Sequence, residues 1–120
     1  MDGKIDWDHA RNAVGDSDEL LLELIDIFFE EYPKMIAGLE SSIKSEASVE
    51  LRRFAHTLKG SLRYFGDTLA GRLAYKLEVM GHNGEIEPAA EVFGQLQTEM
   101  DALLSELHAF VASQSPETDA

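Results

Sequence analysis

Apolar residues recur along this chain at helical intervals, and no stretch shows the two-residue alternation of a half-buried strand. From about Ser17 to Ser45 the positions Leu21, Leu24, Ile25, Phe28, Tyr32, Met35, Ile36, Leu39 and Ile43 keep the i, i+3, i+4 rhythm, and Asp16, Ser17 and Asp18 offer N-caps. Pro33 lies inside this run and predicts a kink near Phe29 to Pro33, because the stripe stays in register on both sides. A second helix is predicted from Ser48 to Phe65, closed by Gly66. A third runs from about Asp67 to Gly81 with Leu69, Leu73, Leu77 and Met80 as its stripe, followed by the loop signal "GHNGE". The fourth starts near Pro88 and carries Ala89, Phe93, Leu96, Met100, Leu103, Leu104, Leu107 and Phe110. Asp6 to Val14 predicts a short extra helix anchored by Trp7.

Four amphipathic helices with short connections imply an all-α fold, an antiparallel up-down-up-down four-helix bundle with a short extra N-terminal helix. One domain over residues 1–112 and a polar, frayed tail over 113–120 are expected. There is no internal repeat and no low-complexity segment.

Composition narrows the function. The 120 residues contain no cysteine, so disulfides and thiolate metal sites are excluded. The net charge of −13 argues against nucleic acid as a partner. No apolar run approaches a membrane span, and "MDGKIDWDHA" lacks a signal-peptide layout. A soluble, cytoplasmic domain without direct membrane contact is expected.

Against this acidic background, four of the ten Lys and Arg residues (Arg52, Arg53, Lys59 and Arg63) fall within the second helix segment. On a helical wheel Leu51, Phe54, Ala55, Leu58, Leu62 and Phe65 form the core arc, and His56 lies well outside it. Arg52, Lys59 and Gly60 are its i−4, i+3 and i+4 neighbours, and Arg63 is two turns along. Gly60 costs a helix about 1 kcal/mol relative to Ala. Its missing side chain clears space beside the imidazole for a bulky partner. Lys59 is placed to neutralise a phosphoryl group, and Arg52 and Arg63 extend a positive field that would steer an acidic surface. Each feature also has a bland explanation: a surface histidine is usually solvated, a helical glycine often marks close packing, and basic residues often only form a solvated face. Their conjunction at this spacing is what favours chemistry.

The run "AHTLKGSLRYFG", from Ala55 to Gly66, resembles the signature of histidine-containing phosphotransfer (HPt) domains in His56, Leu58, Lys59, Gly60 and Gly66. The similarity extends upstream through "LLLELIDIFFEEYPKMIAGLESSI" and downstream through "LAYKLEVMG". It implies the same bundle. It also implies a phosphorelay intermediate in which His56 accepts a phosphoryl group from a receiver-domain aspartyl phosphate and passes it to another receiver aspartate. The implied partners are receiver domains of hybrid histidine kinases and response regulators. Mg²⁺ is expected on the partner receiver, with no cofactor of the chain's own. By family position Glu78 falls where a polar side chain, often Gln, contacts the other ring nitrogen. A monomer without kinase activity is implied, either free or as the cytoplasmic end of a membrane-bound hybrid kinase.

His9, His82 and His108 show no ligand spacing, no Glu-x-x-His pair occurs, and Glu19, Glu23, Glu30 and Glu31 suit a solvated face, so no metal site is expected. Two other functions remain open: a receiver-docking adaptor bundle that does not transfer, and a kinase-linked phosphoacceptor domain phosphorylated directly by an ATP-binding domain.

Overall fold

The computed structural model describes residues 4–114 and, among them, contains helices and no strand. Helix α1 spans Trp7–Ala13, α2 Asp18–Lys44, α3 Ser48–Leu62, α4 Leu69–Asn83 and α5 Ala89–Ser113, with a 3-10 turn at Arg63–Phe65. The tail expected at 113–120 lies outside the described residues except for Ser113, which ends α5, and Gln114.

The starts of α1, α2 and α4 have local chemical causes. The Asp6 carboxylate accepts the His9 N–H at 3.0 Å, Ser17 Oγ accepts the Leu20 N–H at 3.1 Å, and Thr68 Oγ1 accepts the Gly71 N–H at 3.0 Å. Each satisfies a donor that the first helical turn leaves unpaired. Pro88 precedes α5, and Gly84 closes α4 at φ +73°. Helix α2 runs unbroken through Pro33. Pro33 has no N–H to donate to the Phe29 carbonyl, and its exposed position spares the core that loss.

Helix α3 packs against α2 and α4, α4 packs against α5, and α5 closes back on α2. The pairing is antiparallel where contacts fix it. Phe28 of α2 meets Phe65 at the end of α3, and Gly38 lies against Phe54. Across α3 and α4, Gly71 approaches Leu62 and Gly81 approaches Arg52. The core runs the length of the bundle through Leu21, Ile25, Leu39, Leu51, Leu58, Leu62, Phe65, Leu77, Leu96, Met100 and Leu107.

The expected stripe of α4 needs correction. Only Leu77 of the four is buried; Leu69, Leu73 and Met80 are half-buried, and the innermost face is Ala70, Ala74, Leu77 and Gly81. Small residues win because α4 lies close to α3. A Cβ on Gly81 would come within 2.6 Å of the Arg52 backbone nitrogen. Phe54 is likewise half-buried, with the Arg53 guanidinium 4.7 Å above its ring.

Helix α1 is tied on by Trp7, which stacks on Phe110 at 4.4 Å and donates from Nε1 to Glu106 at 3.2 Å. The Asp6 N–H donates to the Phe65 carbonyl at 2.9 Å. Gly66 makes that approach possible: its φ is +96°, and a Cβ there would sit 2.6 Å from the Asp6 Cβ. No helix among the described residues is long and apolar enough to cross a membrane.

Candidate functional site

The pairing of α3 with α4 sets the geometry around His56. Its side chain is 68% exposed, on the outer face of α3, and Nδ1 lies 2.8 Å from Oε2 of Glu78 on α4. The second carboxylate oxygen, Oε1, lies 2.8 Å from Lys59 Nζ. It is shut off from solvent and makes no well-aligned hydrogen bond among the described residues, so the ion pair is what compensates its burial. Glu78 thus bridges the histidine and the lysine, one on each oxygen.

Burial works to raise the Glu78 carboxyl, but the polar contacts and charges of Lys59 and His56 outweigh it and hold the group below the ordinary carboxylate range. Glu78 is therefore ionised at neutral pH, and an ionised carboxylate can only accept. The hydrogen between the two groups consequently belongs to Nδ1. In the neutral ring the lone pair is then on Nε2.

Lys59, three residues along the same helix, does not stand free beside Nε2. Its side chain is only 21% exposed, held between Glu78 and the face of the Tyr75 ring, 5.0 Å from the ring centroid. Gly60 faces open space, where a Cβ would meet nothing within 4 Å. Packing within this chain therefore gives no reason for the glycine. Gly60 also borders an open cleft of about 940 Å³ that includes Arg63, Tyr64, Tyr75 and His9, while His56 stands outside it.

Arg52 lies on the other side of His56 and reaches toward Nδ1 of His82, 3.4 Å away on α4. Of the five arginines, Arg11, Arg53 and Arg72 are engaged by Asp18, Glu50 and Asp67, whereas Arg52 and Arg63 make no ion pair among the described residues. The two unneutralised guanidinium groups lie on either side of His56 along the chain, Arg52 on α3 and Arg63 in the 3-10 turn that follows it. Among the described residues no group of three or more His, Asp or Glu could hold a metal ion.

Tyr75 and His82 were not anticipated from the sequence. With Glu78 they share one face of α4 at i, i+3, i+7 spacing, which is a signal, but only the pairing with α3 shows that this face meets Arg52, His56 and Lys59. A separate groove of about 460 Å³ between α2 and α5 is lined by Leu22, Phe29 and Val111 with the carboxylates Glu19, Glu23 and Asp26.

A helical bundle presenting a carboxylate-held, outward-facing histidine has the layout of a phosphotransfer domain. The family model described as Hpt domain matches residues 23–106, and the chain belongs to that family of histidine phosphotransfer domains of phosphorelays. Among solved structures, the chain is similar to the crystal structure of histidine-containing phosphotransfer protein B from Pseudomonas aeruginosa PAO1. The TM-score is 0.81 at 19% sequence identity, over 88% of this chain and 91% of that one, a likeness of fold. Curated protein sequences gave no match. Domains of this family are in general phosphocarriers that work with receiver domains of kinases and response regulators.

Proposed function

We propose that this chain is a phosphorelay intermediate that accepts a phosphoryl group on Nε2 of His56 from a receiver aspartyl phosphate and delivers it to another receiver aspartate. The observation that carries the reading is the 2.8 Å contact between His56 Nδ1 and Glu78, which leaves Nε2 as the free lone pair on an exposed ring.

In the forward step Nε2 attacks phosphorus, the N–P bond forms, and the P–O bond to the aspartyl carboxylate breaks. The aspartate leaves as a carboxylate. No proton moves: Nδ1 keeps its hydrogen, the ring gains positive charge, and the ionised Glu78 beside it balances that charge. Delivery to the second receiver is the reverse reaction on a different aspartate. The open space at Gly60 admits the receiver's face next to His56. Arg52 and Arg63, not neutralised internally, attract an acidic pocket. Mg²⁺, expected on the receiver, neutralises the phosphoryl oxygens. The chain contributes the nucleophile and its orientation, without kinase activity or a cofactor of its own, and acts as a monomer in the cytoplasm.

The test is incubation with a phosphorylated receiver, followed by assay of acid-labile phosphate on the wild type and on His56→Gln. Labelling of the wild type and none of the variant is expected. Equal labelling of both refutes the assignment. Failure of the wild type to label with any receiver, while it still binds one, favours a docking adaptor.

A further inference from the structure

We propose that Tyr75 is a positioning residue that acts on His56 through Lys59 and Glu78. The proposal deepens the phosphocarrier reading and rests on it for its consequence in transfer, though not for its geometry.

Four groups form a continuous line across the α3–α4 seam. The Tyr75 ring faces Lys59 Nζ at 5.0 Å, Nζ lies 2.8 Å from Glu78 Oε1, and Oε2 lies 2.8 Å from His56 Nδ1. A lysine on an exposed helix face ordinarily keeps its ammonium in water. Here it is drawn in from two sides, by a carboxylate oxygen and by the electron-rich face of a ring. Tyr75 is 55% exposed and belongs to no part of the core. Its position is accounted for by the cation it covers.

The chain of consequences follows from Oε1. That oxygen is closed to solvent, so the ammonium is what compensates its burial. If Lys59 swings away, the carboxylate must turn toward water to satisfy Oε1, and Oε2 leaves Nδ1. The imidazole then has no fixed acceptor on its inner side. Its hydrogen can move to Nε2, the nitrogen that has to attack. The next polar groups on the two helices, Arg52 four residues before His56 and His82 four residues after Glu78, meet each other at 3.4 Å and offer no carboxylate to replace Glu78. Tyr75 therefore governs what fraction of His56 presents a free Nε2 lone pair.

The ring nitrogen NMR shifts of His56 in the unphosphorylated protein report its tautomer directly. Wild type should hold the hydrogen on Nδ1. Tyr75→Leu, which keeps an apolar cover but has no ring face, should raise the Nε2–H fraction about two- to fivefold, the range of an exposed cation–π contact. Tyr75→Phe keeps the face and should retain the wild-type ratio. Lys59→Ala should shift the ratio at least as far as Tyr75→Leu, and adding Tyr75→Leu to it should change nothing more. A wild-type ratio in Tyr75→Leu, the same shift in Tyr75→Phe as in Tyr75→Leu, or additivity in the double variant would each overturn the proposal. The transfer rate of Tyr75→Leu should fall by the same factor as its reactive tautomer. Because the tautomer is read without any phosphoryl donor, the expected tautomer shifts in a protein whose His56 never labels would sustain the positioning role and refute the phosphocarrier reading.

Discussion

Two glycines inside helices of the α3–α4 pair should respond to the same substitution with opposite sign. Glycine costs a helix interior up to about 1 kcal/mol relative to Ala, mostly through backbone entropy. At Gly60 a Cβ meets nothing within 4 Å, so Gly60→Ala should recover that amount and raise Tm by roughly 4 °C. At Gly81 a Cβ would lie 2.6 Å from the Arg52 nitrogen, 2.8 Å from its Cα and 2.9 Å from its Cβ. Carbon contacts are comfortable at about 3.5 to 4.0 Å, so the two helices must separate by roughly 1 Å. Overpacking of this kind typically costs about 1 to 3 kcal/mol, which cancels the propensity gain and leaves a net loss of about 1 kcal/mol. The two variants should therefore differ by about 2 kcal/mol in urea unfolding followed by circular dichroism. Equal stabilisation of both would refute the close approach of α4 to α3. A Gly60→Ala that destabilises would refute the open space over α3. Gly60→Gln keeps the fold but fills that space, and it should slow transfer from a receiver; a wild-type rate would show that clearance is not the reason for the glycine.

Charge and pH supply two further tests. Transfer at sub-saturating receiver should slow as salt rises, because steering is screened over about 8 to 10 Å at physiological ionic strength. Arg52→Ala/Arg63→Ala should lose most of that dependence in stopped-flow measurements, and a salt-independent wild type would contradict electrostatic docking. The Glu78 carboxyl is held low in the folded protein, so its contribution to stability is present above the ordinary carboxylate range and is lost as pH falls through the lowered value. The stability gap between wild type and Glu78→Gln should thus be widest at neutral pH and shrink as acid takes the solution below the ordinary carboxylate range; a gap constant with pH would deny that the carboxyl is held low.

The helices were legible in the sequence because their signals are local. Ser17 as an N-cap, Gly66 after the second segment and Pro88 before the last one need only the chain near them, and each falls where expected. The innermost face of α4 was not legible. Apolar size pointed to Leu69, Leu73 and Met80, but burial went to Ala70, Ala74 and Gly81, because how near two helices lie is a property of the pair. The site divides the same way. The outward position of His56 follows from the phase of one helix. The bridge from His56 through Glu78 to Lys59, and the ring of Tyr75 over it, depend on the register of α3 against α4. Lys59 illustrates the limit: its spacing placed it beside His56, and only the register of the two helices shows its ammonium on Glu78.

The central claim is that Nε2 of His56 is the nucleophile because Glu78 holds Nδ1. Phosphorus–nitrogen correlation NMR on the protein phosphorylated by a receiver measures which ring nitrogen carries the phosphoryl group. A single phosphohistidine at His56, bonded through Nε2 with the hydrogen still on Nδ1, is the result this geometry requires. Phosphorus on Nδ1, or on His9, His82 or His108, would contradict it.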